Sequence, residues 1–126
     1  MIESFRDLDV WKLAMDLAEQ GYRFTRSFPR EEMFSLTSQI RRAATSVPAN
    51  IAEGYGRETT REYVRSLRIA QGSLKELETH IEIACRVGLV ELGTAREIQE
   101  LADRTGRVLR ALIRSLQERL QKEDSE

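Results

Sequence analysis

The feature that most constrains the fold is a long apolar repeat with the spacing of a helical bundle. Across residues 63–84, apolar side chains recur at alternating intervals of four and three. They stand at Tyr63, Leu67, Ala70, Leu74, Leu77, Ile81 and Ala84. Residues at this spacing share one face of an α-helix, and such a helix must pack that face against other helices. With two prolines, seven glycines and no alternating polar and apolar run, helix is predicted throughout.

Start and stop signals divide the chain into four predicted helices, at approximately 8–27, 32–53, 60–87 and 95–122, with an acidic tail at 123–126. We expect Asp7 or Asp9 to cap the first helix. Glu31 and Glu32 are expected in the opening turn of the second, which follows Pro29.

The third and fourth helices are predicted to begin with the same capping pattern. Thr59 is followed by Glu62, and Thr94 by Glu97, the spacing of a capping box. Gly88 is expected to end the third helix.

Short connections force neighbouring helices to be antiparallel. The prediction is therefore an all-α, up-down-up-down four-helix bundle forming a single domain over 1–126. The first helix carries an expected inner face of Leu8, Trp11, Met15, Ala18 and Tyr22, beside a second stripe of Leu13, Leu17 and Phe24. The fourth carries Ile98, Leu101, Thr105, Val108 and Leu112, beside Ala102, Leu109, Ile113, Leu116 and Leu120. The doubled stripes indicate either a subunit interface or a thick core.

The composition points to a soluble, cytoplasmic protein. Hydrophobic residues make up 40% and charged residues 33% of the chain. No stretch approaches the roughly 18 apolar residues of a membrane span, and the first residues lack a signal-peptide core. The single Cys85 is ordinary in a reducing compartment.

The sequence contains no motif that predicts an enzyme, and we expect no catalytic activity, no cofactor and no metal. One histidine and one cysteine cannot supply a zinc site or the ligands of a carboxylate metal centre. Histidine phosphotransfer through His80 is a minor alternative to a partly exposed structural histidine. Cys85 is expected to be a buried, inert thiol.

Residues 36–54 combine small residues, polar groups and a proline within one helix. Pro48 removes a backbone hydrogen bond and predicts a bend over 44–47. Asn50 shares a stripe with Ala43 and Val47, so its amide needs a partner. The alternatives are the backbone that Pro48 frees and a neighbouring subunit.

The blocks QIRRAATSVPANIAEG at 39–54 and IAQGSLKELE at 69–78 resemble the four-helix-bundle family of 23S ribosomal RNA intervening-sequence proteins. Leu8, Trp11 and Phe28-Pro29 extend the similarity over nearly the whole chain. The signature positions are Gln39, Pro48, Asn50, Glu53, Gly54 and Gly72. The resemblance implies a ring-like homopentamer. It also implies kinship with accessory proteins of diversity-generating retroelements, which are basic and bind a reverse transcriptase and nucleic acid.

The net charge of −1 departs from those basic relatives, but 17 of the 20 basic residues are arginines and they are clustered. The expected binding arginines are Arg41, Arg42, Arg57, Arg61, Arg65, Arg68, Arg104, Arg107, Arg110 and Arg114. Those at 57–68 and those at 104–114 follow helical spacing, so each set is expected on one face. The leading hypothesis is a homo-oligomeric scaffold whose arginine faces bind RNA, DNA or a nucleic-acid-handling protein such as a reverse transcriptase. The alternative is a structural protein–protein adaptor, in which carboxylates such as Glu58 and Glu62 pair with the arginines across subunits.

Overall fold

The computed structural model describes residues 1–125, and four long helices form its framework. They are α1 (Asp9–Thr25), α2 (Leu36–Tyr55), α3 (Thr60–Arg86) and α4 (Leu92–Ser125). Short 3-10 turns at Phe5–Asp7 and Arg30–Glu32 precede α1 and α2. Each helix packs against the next along the chain, and α1 packs against α4. The predicted all-α four-helix bundle is confirmed, and residues 1–125 contain no strand.

The starts of the first two helices differ from the prediction. Asp7 does not cap α1; its carboxylate accepts the backbone N–H groups of Glu3 and Ser4 and closes the preceding 3-10 turn. Glu31 and Glu32 lie in a separate 3-10 turn, so they are not in the opening turn of α2. That helix begins at Leu36, where Ser35 caps it by accepting the Leu36 N–H at 2.6 Å.

The third helix begins as predicted, whereas the fourth does not. Thr59 Oγ1 accepts the Glu62 N–H at 3.1 Å and donates to the Glu62 carboxylate. The predicted cap at Thr94 is wrong, because α4 already begins at Leu92 and Thr94 lies within its first turn. At its other end α4 continues through Ser125, so residues 123–125 are helical and are not a separate tail. Residue 126, the last of the predicted tail, lies outside the described part.

Gly88 ends α3 as predicted. Its φ of +80° is a left-handed conformation that favours glycine. The N–H of Leu89 then bonds back to the Ala84 carbonyl at 2.9 Å, and the Gly88 N–H bonds to Cys85 at 3.1 Å. This pairing satisfies the last carbonyls of the helix and turns the chain toward α4.

The core is thick enough to bury most of the second apolar stripe of α1 and most of that of α4. Of the second stripes, Leu17, Phe24, Ala102, Leu109, Ile113 and Leu116 are buried. The predicted inner face of α1 is partly wrong, because Met15 and Tyr22 are 43% and 45% exposed. The buried face of α1 instead includes Val10 and Ala14. Within residues 1–125, no helix is both long and apolar enough to cross a membrane.

Candidate nucleic-acid interface

Three of the predicted arginines form a line along the exposed side of α3. Arg61, Arg65 and Arg68 recur at intervals of four and three residues and are all exposed. Arg57 does not belong to this line, because α3 begins only at Thr60. It lies in the connection after α2 and forms an ion pair with Glu53, which corrects the prediction of one face over 57–68.

The second set lies on the exposed side of α4. Arg104, Arg107, Arg110 and Arg114 are all exposed there. Arg107 forms an ion pair with Asp103, one turn earlier on the same helix.

The packing of α3 against α4 brings part of the two sets together. Arg68 of α3 and Arg110 and Arg114 of α4 line one shallow cleft, which we call the α3–α4 arginine cleft. The remaining lining residues are Gln71, Ile113 and Gln117. Arg68 donates to the Gln71 side-chain oxygen at 3.1 Å. Three cations and two amides without a lining carboxylate form a surface suited to an anion such as phosphate.

Carboxylates neutralise some of the predicted arginines, but not those of the cleft. Arg61 pairs with Asp124 near the end of α4, at 3.2 Å with both side chains mostly exposed. Within residues 1–125, no carboxylate oxygen lies within 4.0 Å of the guanidinium groups of Arg65, Arg104 or the three cleft arginines. Exposed ion pairs of this kind contribute about 0–1 kcal/mol each to stability, so a ligand that binds the arginine more strongly can displace the carboxylate.

Sequence reasoning missed Gln71, Gln117 and Asp124 as neighbours of the arginines. Which residues of α4 lie opposite the α3 arginines depends on the antiparallel register of the two helices. Once Arg61 on α3 is matched with a residue near 124 on α4, Arg68 and Gln71 come opposite residues 110–117. Without coordinates that register is undetermined, because both helices carry a continuous apolar stripe.

Arg41 and Arg42 lie elsewhere, on α2 at its border with α1. Arg41 is half-buried; its Nε donates to Thr25 Oγ1 at 2.9 Å and its guanidinium stacks over the Tyr22 ring at 4.7 Å. Arg41 therefore joins α2 to α1. Arg42 is exposed.

The signature segment is explained mainly by the contact between α2 and α3. At Gly54, an added Cβ would lie 2.8 Å from Ser66 Cβ and 3.0 Å from the Tyr63 ring. Only glycine allows the two helices to approach so closely there. Pro48 is buried within α2.

Asn50 finds its hydrogen-bond partners one turn earlier on its own helix. Its amide donates to the Ser46 carbonyl at 2.8 Å and to Ser46 Oγ at 3.0 Å, and not to the backbone that Pro48 frees. Ser46 Oγ in turn lies 2.8 Å from Ser73 Oγ, which connects α2 to α3 through a polar contact.

Two signature residues have no such role in the described bundle. Gln39 is exposed, and an added Cβ at Gly72, in the middle of α3, would meet nothing within 4 Å. Packing inside one subunit therefore does not require glycine at 72.

His80 and Cys85, the residues considered for chemistry from the sequence, both lie on α3. His80 Nε2 lies 3.5 Å from a Glu76 carboxylate oxygen, and its side chain is 14% exposed. Cys85 is half-buried, which corrects the expectation of full burial, and desolvation followed by the Glu82 charge raises the pKa of its thiol. Among residues 1–125, no three His, Cys, Asp or Glu side chains form a group that could hold a metal ion.

Comparison with known proteins identifies the family. The profile of the 23S rRNA-intervening sequence protein matches residues 6–111, which include α1, α2, α3 and most of α4. The chain belongs to this family. The matched range includes both helices of the α2–α3 contact and two of the three cleft arginines, Arg68 and Arg110, whereas Arg114 lies beyond it.

A solved structure supports the fold independently. It is described as a protein of unknown function from the S23 ribosomal protein family of Bacteroides thetaiotaomicron VPI-5482. The two chains are 22% identical and superpose with a TM-score of 0.74, over 82% of this chain and 97% of the other. At this identity the similarity shows the bundle fold alone. A search of curated proteins found no match, and the link to retroelement accessory proteins stays a prediction.

Proposed function

We propose that this chain is a non-catalytic, homo-oligomeric scaffold that binds nucleic acid through the α3–α4 arginine cleft. The observation that carries the proposal is the convergence of Arg68, Arg110 and Arg114 on a surface without a lining carboxylate. Phosphate is the ligand that best matches several adjacent guanidinium groups, since each offers a planar fork of donors. The overall charge of −1 does not oppose this, because binding responds to the local field.

Exposed apolar residues on α3, and Val87 just after its end, support the oligomeric part of the proposal. Ile69, Ile83 and Val87 are 51%, 40% and 64% exposed, and Gly72 lies open between the first two. A second subunit could approach closely at Gly72 and cover these side chains. A ring of five subunits, as the family resemblance implies, would present five clefts and strengthen weak phosphate contacts through multivalency.

The proposal also includes a cellular location and a class of partner. The lone Cys85 fits a reducing, cytoplasmic compartment. The partner is RNA or DNA, alone or held by a protein such as a reverse transcriptase.

A charge-neutralising double variant tests the nucleic-acid part. Arg110→Gln combined with Arg114→Gln should weaken binding of a labelled RNA, measured by fluorescence anisotropy at low salt. Arg86→Gln combined with Arg96→Gln makes the same charge change on exposed residues away from the cleft. Equal affinity of the two double variants would refute binding at the cleft.

The alternative function is a protein–protein adaptor without nucleic-acid contact. The observation that favours it is that Arg57, Arg61 and Arg107 are already paired with carboxylates in one subunit. In that case the cleft variant changes the mass measured by light scattering, while the wild-type protein binds no RNA or DNA at low salt.

A further inference from the structure

An exposed aromatic and basic surface lies between α1 and the start of α2, on helices other than those of the arginine cleft. Phe34 is 95% exposed, and Tyr22 lines the same shallow depression at 45% exposure. Thr37, Arg41 and Arg42 also line it. We call these five residues the Phe34 surface. An almost fully exposed phenylalanine beside a second ring is typical of a binding site.

The two arginines give the Phe34 surface a positive charge and a fixed geometry. Arg41 is held over the Tyr22 ring by its hydrogen bond to Thr25, so the ring and the guanidinium form one rigid stack. Arg42 is exposed, with no carboxylate oxygen within 4.0 Å in the part of the chain that the structure describes. No carboxylate lines the depression.

Polar groups at the start of α2 lack partners at the same place. Thr37 is 3% exposed, and its hydroxyl has no hydrogen-bond partner among residues 1–125. Ser35 caps only the Leu36 N–H, which leaves the backbone N–H groups of Thr37 and Ser38 without an acceptor in the same range. The N-terminus of a helix with free N–H groups binds phosphate well.

We propose that the Phe34 surface binds unpaired nucleotides, with a base stacked on the Phe34 ring and a phosphate at Arg42 and the start of α2. Stacking platforms beside positive charge are the usual means of holding single strands. An apolar protein segment fits less well, because it would leave the Arg42 guanidinium and the free N–H groups of Thr37 and Ser38 without partners. This inference rests on the proposed function, and it specifies single-stranded regions as the preferred ligand.

The test compares a labelled oligouridine with an RNA duplex of the same length, using fluorescence anisotropy on the full chain. Phe34→Ala should weaken oligouridine binding by about 5- to 150-fold, the range expected for one base on one aromatic ring. Duplex affinity should be unchanged. Phe34→Leu should lose nearly as much as Phe34→Ala, because leucine is apolar but has no aromatic face. Leu92→Ala removes an exposed apolar side chain at the start of α4, outside both proposed surfaces, and should change neither affinity.

Several outcomes would overturn the inference. One is wild-type oligouridine affinity in Phe34→Ala, and another is full affinity in Phe34→Leu, which would indicate an apolar contact. A changed mass of Phe34→Ala in light scattering would make this surface a subunit contact instead. If the wild-type protein binds neither ligand, the proposed function falls as well; if it binds both and Phe34→Ala has no effect, only this inference fails.

Discussion

Replacing Gly54 by alanine tests the account of why α2 and α3 lie so close together. The new Cβ would lie 2.8 Å from Ser66 Cβ and 3.3 Å from the Tyr63 carbonyl oxygen, so at least one helix must shift. Overpacking of this kind costs about 1–3 kcal/mol. The lower backbone entropy of alanine in the unfolded chain offsets about 0.4–1 kcal/mol. We expect a net loss of about 1–2 kcal/mol in the free energy of unfolding, or about 3–10 °C in Tm for a domain of this size.

Urea and thermal unfolding followed by circular dichroism would measure this loss. The matched control is Gly93→Ala, where an added Cβ meets nothing within 4 Å, so stability should stay equal or rise slightly. Ser66→Gly removes the atom nearest to the new Cβ, and the double variant should therefore lose less than the sum of the two single losses, with a coupling of at least about 0.5 kcal/mol. Additive losses, or a Gly54→Ala protein as stable as the Gly93→Ala control, would refute the reasoning.

Three further predictions follow from individual side chains. Arg41→Ala should destabilise the fold by about 1–2 kcal/mol, since it loses a hydrogen bond and a stacked ring, whereas Arg42→Ala should change stability by less than about 0.5 kcal/mol in the same urea titration. The backbone N–H groups of Glu3 and Ser4 lower the pKa of Asp7, so the midpoint of its NMR titration should lie below 3.8. The Asp7 carboxylate therefore stabilises the fold above its pKa in the unfolded chain, and this stabilisation is lost as the pH falls through its pKa in the folded protein. Asp7→Asn should flatten stability over that acidic range. Desolvation raises the pKa of Cys85, so the pH midpoint of its alkylation by iodoacetamide should lie above 9.0, and a lower midpoint would contradict its assignment as an unreactive thiol.

The bundle itself was predictable because the repeat over 63–84 leaves one consistent solution. Leu67, Ala70, Leu74, Leu77 and Ile81 are all at most 1% exposed. Only a helix places residues at this spacing on one side, and only helical partners with apolar faces of their own were available in the rest of the chain.

Helix starts were less predictable, because local capping patterns recur by chance in a charged helical sequence. At Thr59 the hydroxyl oxygen accepts the Glu62 N–H as predicted, although the Glu62 carboxylate bonds the Thr59 hydroxyl and not its N–H. The same pattern at Thr94 falls inside a helix that begins at Leu92. A local pattern carries no information about the turn at Gly88, after which α4 begins at Leu92, three residues before the predicted start at 95.

The inner face of α1 was hard to place, since its apolar residues cover much of the helix circumference. Burial is centred on small residues such as Ala14 and Gly21, and an added Cβ at Gly21 would lie 3.0 Å from Ala44 Cβ. The close crossing of α1 and α2 therefore decides the rotation of α1 and leaves Met15 and Tyr22 exposed.

The candidate site was predictable in its arginines, but not in its glutamines or its geometry. Helical spacing singled out Arg68, Arg110 and Arg114, while their convergence depends on the register between α3 and α4. Nothing in the sequence marks Phe34 as exposed, because an aromatic residue beside a helix start usually packs into the core.

The salt dependence of RNA affinity tests the central claim most directly. Each lost phosphate contact lowers the slope of log affinity against log salt by about 0.7 for single strands and about 0.9 for duplexes. The account predicts a lower slope for the double variant Arg110→Gln and Arg114→Gln, by about 1.4–1.8 per bound subunit, and a wild-type slope for Arg86→Gln with Arg96→Gln. Equal slopes for all three proteins, or no salt dependence in the wild type, would contradict it.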